Sequence, residues 1–371
     1  MKKNKKQTNE LKIDYSSYYF SVVPFIKLAK KLGCWCLLIV GARKRGKTYS
    51  MLKYAIEQKE QIIFCKRTID DVNLLCAASK SADFDDDLSP YADLNIDMGL
   101  NIQPHKMYKG VASFNNIQED NTFKAGFCFA ISAVAKYKGF GGLRNCKYLV
   151  FDEFIPAPWE KTFSRLEGEA VIDLYQTASR DREERGNEAM LFVGLANAND
   201  LSNNLFNALE ITDEVAEMAA NHEEIRQIGR KLVVLVDDSK LNIAKDEEKT
   251  LIYQDMKNTT WGKVTFSNEF ARNDLSCIGF RSIKGMKCRC LIIYKNEYWY
   301  VYQKEGYFYV CESKSNNNAI KVYNLDIEAD LKPCYLKECV AIADAYIRHK
   351  ALFQKFRMYD VIIHFKKFFN L

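Results

Sequence analysis

The chain has 371 residues, 54 Lys+Arg against 48 Asp+Glu and a formal net charge of +6, a length that predicts two or three domains with at least one sizeable core. Its 48% hydrophobic and 27% charged fractions exclude wholesale disorder and fibrous classes. Its most apolar run, residues 34–41 (CWCLLIVG), is far short of the ~20 residues a membrane-spanning helix needs, and the mild positive charge permits a polyanionic partner without demanding one.

The opening MKKNKKQTNELK has no apolar stretch behind its lysines, so no secretory signal is expected. An intracellular setting makes the twelve cysteines free thiols rather than a disulfide framework. The C-x-C pairs Cys34/Cys36 and Cys288/Cys290, with four scattered histidines, lack the spacing of structural zinc. Runs rich in β-branched, aromatic and other apolar residues at 35–40, 61–65, 126–132, 147–151, 190–195 and 231–236 predict strands. Several lack polar alternation, as strands buried on both faces of a mostly parallel sheet do. Helical patterns follow at 48–60 and at 170–185, where Val171, Leu174, Tyr175 and Ala178 share one face. Strands alternating with helices argue for an α/β domain over about 35–238, after an N-terminal segment of 1–34. Within it, 83–124 reads as irregular or hairpin-like and opens on the acidic run DFDDD, a solvated loop more readily than a cation site. Residues 239–275 read as a linker or small helical module. From 288 the runs CRCLIIYK, EYWYVYQ and YFYVCES predict antiparallel strands, followed by a strand at 319–324 and a helical region over 332–369. These make a separate α+β domain, 276–371.

The segment GARKRGKT, residues 41–48, matches G-x-x-x-x-G-K-[ST] with a strand before it and a helix after it. In such a loop Gly41, Ala42, Arg43, Lys44, Arg45, Gly46, Lys47 and Thr48 wrap the phosphates of a nucleoside triphosphate. Backbone N–H groups and the helix N-terminus supply positive potential. Lys47 reaches the β- and γ-phosphates and the Thr48 hydroxyl ligates Mg²⁺. Arg43 and Arg45 are extra cations that either touch phosphate or are solvated. Residues 147–154, KYLVFDEF, end an apolar strand in Asp-Glu. Asp152 there suits Mg²⁺ and Glu153 suits polarising the attacking water, at the strand end where a sheet opens to its ligand. In 179–200, Arg180, Arg182 and Arg185 end a helix, and the next strand leads to Asn197 and Asn199. Asn197 is placed to sense the γ-phosphate or the water. The arginines read as a helix end favoured by its macrodipole, or as a finger supplied by a neighbouring subunit. Lys136, Lys138 and Arg144 surround a glycine-rich loop, which suits a phosphate-backbone contact as well as it suits a plain surface loop. The C-terminal aromatic strands read first as core and second as a nucleic-acid stacking surface. Six Lys/Arg against Asp360 from residue 345 onward form a polyanion footprint.

Together these residues resemble, over nearly the whole chain, the DNA-packaging (encapsidation) ATPases of phi29-type small tailed phages, relatives of terminase large subunits. GARKRGKT resembles the family's G-A-R-x-x-G-K-[ST] loop, VFDEFI its V-F-D-E-F-I strand end, SRDREE its F-R-N-R-E-R segment and LANA its L-S-N-A. The resemblance implies an α/β fold: an ASCE-type P-loop ATPase with a mostly parallel sheet, then a small α+β domain of ribonuclease-H type, degenerate as a nuclease. In agreement, Tyr294 and Lys295 stand where a two-metal nuclease would carry a metal-binding carboxylate. It implies ATP and Mg²⁺ as cofactors. The implied partners are double-stranded DNA, the portal of an empty prohead and a structural packaging RNA, with other copies of the chain in a homomeric ring, a pentamer. No membrane is implied; the setting is the host cytoplasm and, transiently, the portal vertex. Lys47, Glu153 and Arg180 become catalytic, with Arg180 on the trans-acting finger position beside Arg182. Lys136 or Lys138 falls on a loop lysine that couples neighbours. The 83–124 region is longer than in the family, and Ile69 falls near a position that can carry a DNA-facing lysine. The expected function is ATP-driven translocation of viral DNA. The alternatives are a P-loop helicase or repair ATPase acting on nucleic acid, and a non-catalytic assembly factor switched by nucleotide.

Overall fold

A computed structural model of the chain describes residues 13–78, 88–137, 139–315, 320–369 and 371. They fall into two compact units. One takes in the described residues up to Ile211 together with Asn221–Arg272, the other Thr212–Ala220 together with Asn273–Leu371.

The first unit is built on a nine-stranded sheet: β1 (Cys36–Val40), β2 (Gln61–Lys66), β3 (Ile102–Tyr108), β4 (Val111–Asn116), β5 (Phe123–Ala130), β6 (Cys146–Asp152), β7 (Leu191–Ala196), β8 (Ile225–Ile228) and β9 (Lys231–Leu235). Their order is β3-β4-β5-β2-β6-β7-β1-β9-β8, and the six from β5 to β9 in that order are parallel. Every residue of β1 and β7 is buried, which is why these runs carry no polar alternation. Four helices matter to the site: α1 (Val23–Lys31), α2 (Lys47–Glu57), α3 (Ile69–Ala78) and α4 (Glu167–Ser179). Helix α4 buries Val171, Leu174 and Ala178, three of the four residues expected on its apolar face. It also buries Gly168, where a Cβ would lie 2.2 Å from the carbonyl oxygen of Asn204 and push the helix Asn204–Ala208 away.

In 83–124 the expected hairpin is observed, β3 pairing antiparallel with β4 and β4 with β5, but it follows a short helix, Ala92–Met98, that neither reading anticipated. The acidic run 83–87 lies outside the described residues. Residues 242–266 form three short helices, Asn242–Glu247, Leu251–Met256 and Thr260–Phe266. The Thr250 and Thr259 side chains cap the last two by accepting the N–H groups of Tyr253 and Gly262.

In the second unit β10 (Lys287–Tyr294), β11 (Glu297–Lys304) and β12 (Tyr307–Cys311) are antiparallel, as the turn-separated aromatic runs predict. β13 (Lys321–Asn324) joins β10 and β14 (Ala351–Phe353) joins β12, both in parallel. Trp299, Tyr300, Tyr302, Phe308 and Tyr309 are buried, so these aromatics are core. The helical region expected at 332–369 is interrupted. The helix Val340–Ile347 stops at His349, whose φ is +56°, and 351–353 then add a sheet edge before the helix Phe356–Ile363. Three residues are too few to show a strand period in sequence.

None of the twelve cysteines is in a disulfide. Among the described residues no helix is long and apolar enough to cross a membrane.

Candidate nucleotide site

The loop 41–48 joins β1 to α2 at the carboxyl ends of the parallel strands, tied to β7 by the Gly41 N–H to Ala196 carbonyl bond at 2.9 Å. Gly46 caps α2 at φ +87°, and a Cβ there would stand 3.2 Å from Cβ of Tyr19, so both conformation and space call for glycine. A cleft of about 340 Å³ opens along the loop from Arg43 to Tyr49, closed on its far side by Asp152, Glu153 and Asn197. Lys47 Nζ is buried and donates to the carbonyls of Gly41 (2.7 Å) and Ala42 (2.6 Å) and to Asn197 Oδ1 (3.3 Å). Burial lowers its pKa, opposed by the nearby Asp238 and Asp152 carboxylates. Thr48 Oγ1 donates to Asp152 Oδ2 at 2.8 Å. Glu153 follows with φ +57°, its N–H turned back to Asp152 Oδ1 at 3.0 Å. Its carboxyl reaches solvent, yet desolvation in the cleft, then Asp152 and Glu160, hold it above the usual range against Lys66 and Arg43. Lys47, Thr48, Asp152, Glu153 and Asn197 thus meet in one cleft, with Arg43 on its wall.

Arg45 is not the solvated cation that one of its sequence readings allowed. Its side chain is 1% exposed and donates to Glu247 Oε2 (2.5 Å) and to the Phe266 carbonyl (3.3 Å), with Nε 3.8 Å from Asp238. Asp238 accepts the Ala42 N–H, and burial pushes its carboxyl up to about 6 despite Lys47 and Arg45. Asn268 closes the same side: its Nδ2 donates to the carbonyls of Val40 and Val236, both at 3.0 Å, and its Oδ1 accepts from Ala198 N–H. Lys44 is the loop's exposed cation, at φ +57°.

Sequence reasoning missed Arg67, the residue after β2. Its Nε is 3.0 Å from both carboxylate oxygens of the buried Glu167, Nη1 is 2.6 Å from Glu160 Oε1, and Nη2 donates to the Glu153 carbonyl at 3.1 Å. The guanidinium lies over the Phe151 ring, 5.4 Å from its centroid. A buried strand ending in Lys-Arg is the only local signal for it.

The remaining expected residues lie elsewhere. Arg182 is 8% exposed and donates to the backbone carbonyls of Arg144 and Cys146, at the amino-terminal end of β6. Arg180 ends α4 at φ +46°; its Nε donates to the Thr177 carbonyl and its Nη2 is buried with no bond. Arg185 pairs with Asp181. β6 has seven residues, so Asp152 is roughly 20 Å from that end at ~3.3 Å per residue. Lys136 and Arg144 are exposed, and Lys138 lies outside the described residues.

No protein-family model matches the sequence, and no curated protein does. Among solved structures, the bacteriophage Phi-29 viral genome packaging motor assembly contains a chain with TM-score 0.63 and 17% identity, covering 95% of this chain and 99% of that one. The Phi-28 gp11 DNA packaging motor gives TM-score 0.56 and 16% identity over 96% of this chain and 99% of that one. The chain shares the fold of these packaging-motor proteins. The likeness spans the large mostly parallel sheet and the smaller second sheet alike.

Proposed function

We propose that the chain is the ATP-hydrolysing subunit of a motor that drives double-stranded viral DNA into an empty prohead, acting as a homomeric ring of five with ATP hydrolysed at subunit interfaces. The observation that carries this reading is the meeting of Lys47, Thr48, Asp152, Glu153 and Asn197 at the carboxyl ends of three adjacent parallel strands, β1, β7 and β6. A strand inserted between the loop-bearing β1 and the Asp-Glu strand β6 supports an ASCE-type P-loop ATPase over 35–238. The parallel β13 beside antiparallel β10–β12 supports a ribonuclease-H-type domain over 276–371, for which we propose no DNA cleavage. The shared fold of the Phi-29 and Phi-28 motor proteins supports the packaging role. Portal, structural RNA and the host cytoplasm follow from the same reading.

In this mechanism the loop N–H groups and the α2 N-terminus bind the phosphates. Lys47 exchanges the Gly41 and Ala42 carbonyls for phosphate oxygens. The Thr48 hydroxyl and Asp152 carboxylate, 2.8 Å apart, are an oxygen pair suited to Mg²⁺; when bound, the ion neutralises charge on the phosphates. Glu153 orients the attacking water and takes its proton, and a carboxyl held above the usual range is a stronger base for that task. Asn197 positions the water or the γ-phosphate. Arg180 of the neighbouring subunit stabilises the transferred phosphoryl. Lys136, Lys138 and Arg144 lie on the loop proposed to meet DNA phosphates or the neighbour.

Glu153→Gln tests the reading. It is expected to retain ATP binding while losing turnover by about 10²–10⁴-fold, and to lose ATP-dependent protection of DNA from nuclease in the presence of proheads. Wild-type hydrolysis by Glu153→Gln would overturn the assignment. Hydrolysis by the native protein without DNA protection favours a helicase or repair ATPase, and nucleotide binding without any turnover favours a nucleotide-switched assembly factor.

A further inference from the structure

The cleft has a direction. Asp152, Glu153 and Asn197 mark where the terminal phosphate is attacked, so the sugar and base must leave the cleft from the other side of the loop, past Gly46 and Tyr49. That side is bordered by residues 15–22, which are strapped to the loop and to the helix Asn242–Glu247. The Phe20 N–H donates to the Arg45 carbonyl at 2.9 Å, and the Val22 N–H to Ser50 Oγ at 3.1 Å. The Ser16 carbonyl accepts from Asn242 Nδ2 at 3.0 Å, and the Tyr18 carbonyl from the Ile243 N–H at 3.3 Å.

These bonds hold two neighbouring tyrosines in place, Tyr19 beside Gly46. Their ring centroids are 4.8 Å apart and the planes cross at 84°, so the pair forms a corner in which a flat ligand meets a ring face and a ring edge. Tyr18 Oη donates to Asp246 Oδ2 at 3.1 Å. Even so, Tyr18 is 45% and Tyr19 53% exposed, whereas the next aromatics, Phe20 and Phe25, stack on each other in the core. Two backbone-anchored aromatic rings, about half exposed among the described residues and next to a phosphate-binding loop, have surface left for stacking.

We infer that Tyr18 and Tyr19 form the platform on which the heterocyclic base of the nucleotide stacks. The inference rests on the nucleotide reading of the 41–48 loop and deepens it by adding the base subsite. Stacking suits any base, because each presents a π-face; the triphosphate grip comes from the loop and the base grip from the tyrosine corner.

Equilibrium binding of ATP and of inorganic triphosphate to the full-length protein separates the two contributions. Tyr19→Ala is expected to weaken ATP roughly 5- to 150-fold, the loss that removing one base–aromatic stack produces, and to leave inorganic triphosphate affinity where it was. Tyr19→Phe, which keeps the ring, is expected to restore ATP affinity. Unchanged ATP affinity in Tyr19→Ala overturns the platform, and so does an equal loss for ATP and triphosphate, which marks a support of the loop instead. Lys47→Ala is expected to weaken both ligands. If Lys47→Ala abolishes ATP binding while Tyr19→Ala leaves ATP affinity unchanged, the platform falls and the nucleotide site stands. If the native protein binds neither ligand, both fall.

Discussion

Glu153 sits in the left-handed region at φ +57°, a conformation that costs a non-glycine residue about 1–3 kcal/mol and persists only where its surroundings over-determine it. Arg67 is what over-determines it. Its guanidinium bonds the Glu153 carbonyl in one direction and the Glu160 and Glu167 carboxylates in two others, a three-way fork that an ammonium group cannot reproduce. Arg67→Lys keeps the charge and loses the fork, so the Glu153 backbone is held less firmly, and on the proposed mechanism its carboxyl with it. Steady-state ATPase kinetics should show kcat lower by roughly 10- to 100-fold, the scale of a misplaced catalytic group, with KM for ATP unchanged. A variant that melts earlier yet turns over normally per folded molecule would reduce Arg67 to a packing residue.

Helix α4 runs the length of the sheet. It starts with Glu167 bonded to Arg67 at the carboxyl end of β2, and it ends with Arg180 and Arg182 near the amino-terminal end of β6. The two arginines therefore have different work. Arg182 is buried against the carbonyls of Arg144 and Cys146, and Arg182→Ala leaves those acceptors without their donor, at about 1–3 kcal/mol. Thermal unfolding should shift downward for Arg182→Ala and stay in place for Arg180→Ala; the reverse pattern would exchange their roles. The chain's local chemistry is what sequence reveals here. Glycine spacing and an apolar run announce β1, the 41–48 loop and α2, and the same logic finds β6 with its Asp-Glu end. Asn197 is legible because it closes the strand that falls beside β6. What is not legible depends on partners far along the chain. Arg45 meets Glu247 and Asp238 about 200 residues on, Arg67 meets Glu167 a hundred residues on, and no periodicity encodes such pairs. β14 escapes notice for a different reason: its three residues are a strand only because β12 offers them an edge.

At the scale of the whole molecule, the separation of Arg180 from the cleft decides how a finger can act. One end of β6 carries Asp152 and the other lies beside Arg182, two residues from Arg180, and the two ends are roughly 20 Å apart by strand length. An arginine side chain does not span that distance, so under the proposed reading Arg180 does not serve the cleft of its own chain. In the proposed ring, head-to-tail interfaces could bring Arg180 of one copy to the cleft of the next. Each active site is then assembled from two chains, the loop from one and the arginine from the other. Arg180→Ala and Lys47→Ala should each abolish ATP turnover when present alone. In an equal mixture, about one interface in four pairs an intact loop with an intact arginine if subunits assemble at random, and ATPase activity should return to that fraction of the native rate. The returned activity should peak near equal proportions and vanish toward either pure variant. An arginine acting within its own chain gives no recovery at any ratio, because every subunit in the mixture then carries one broken site.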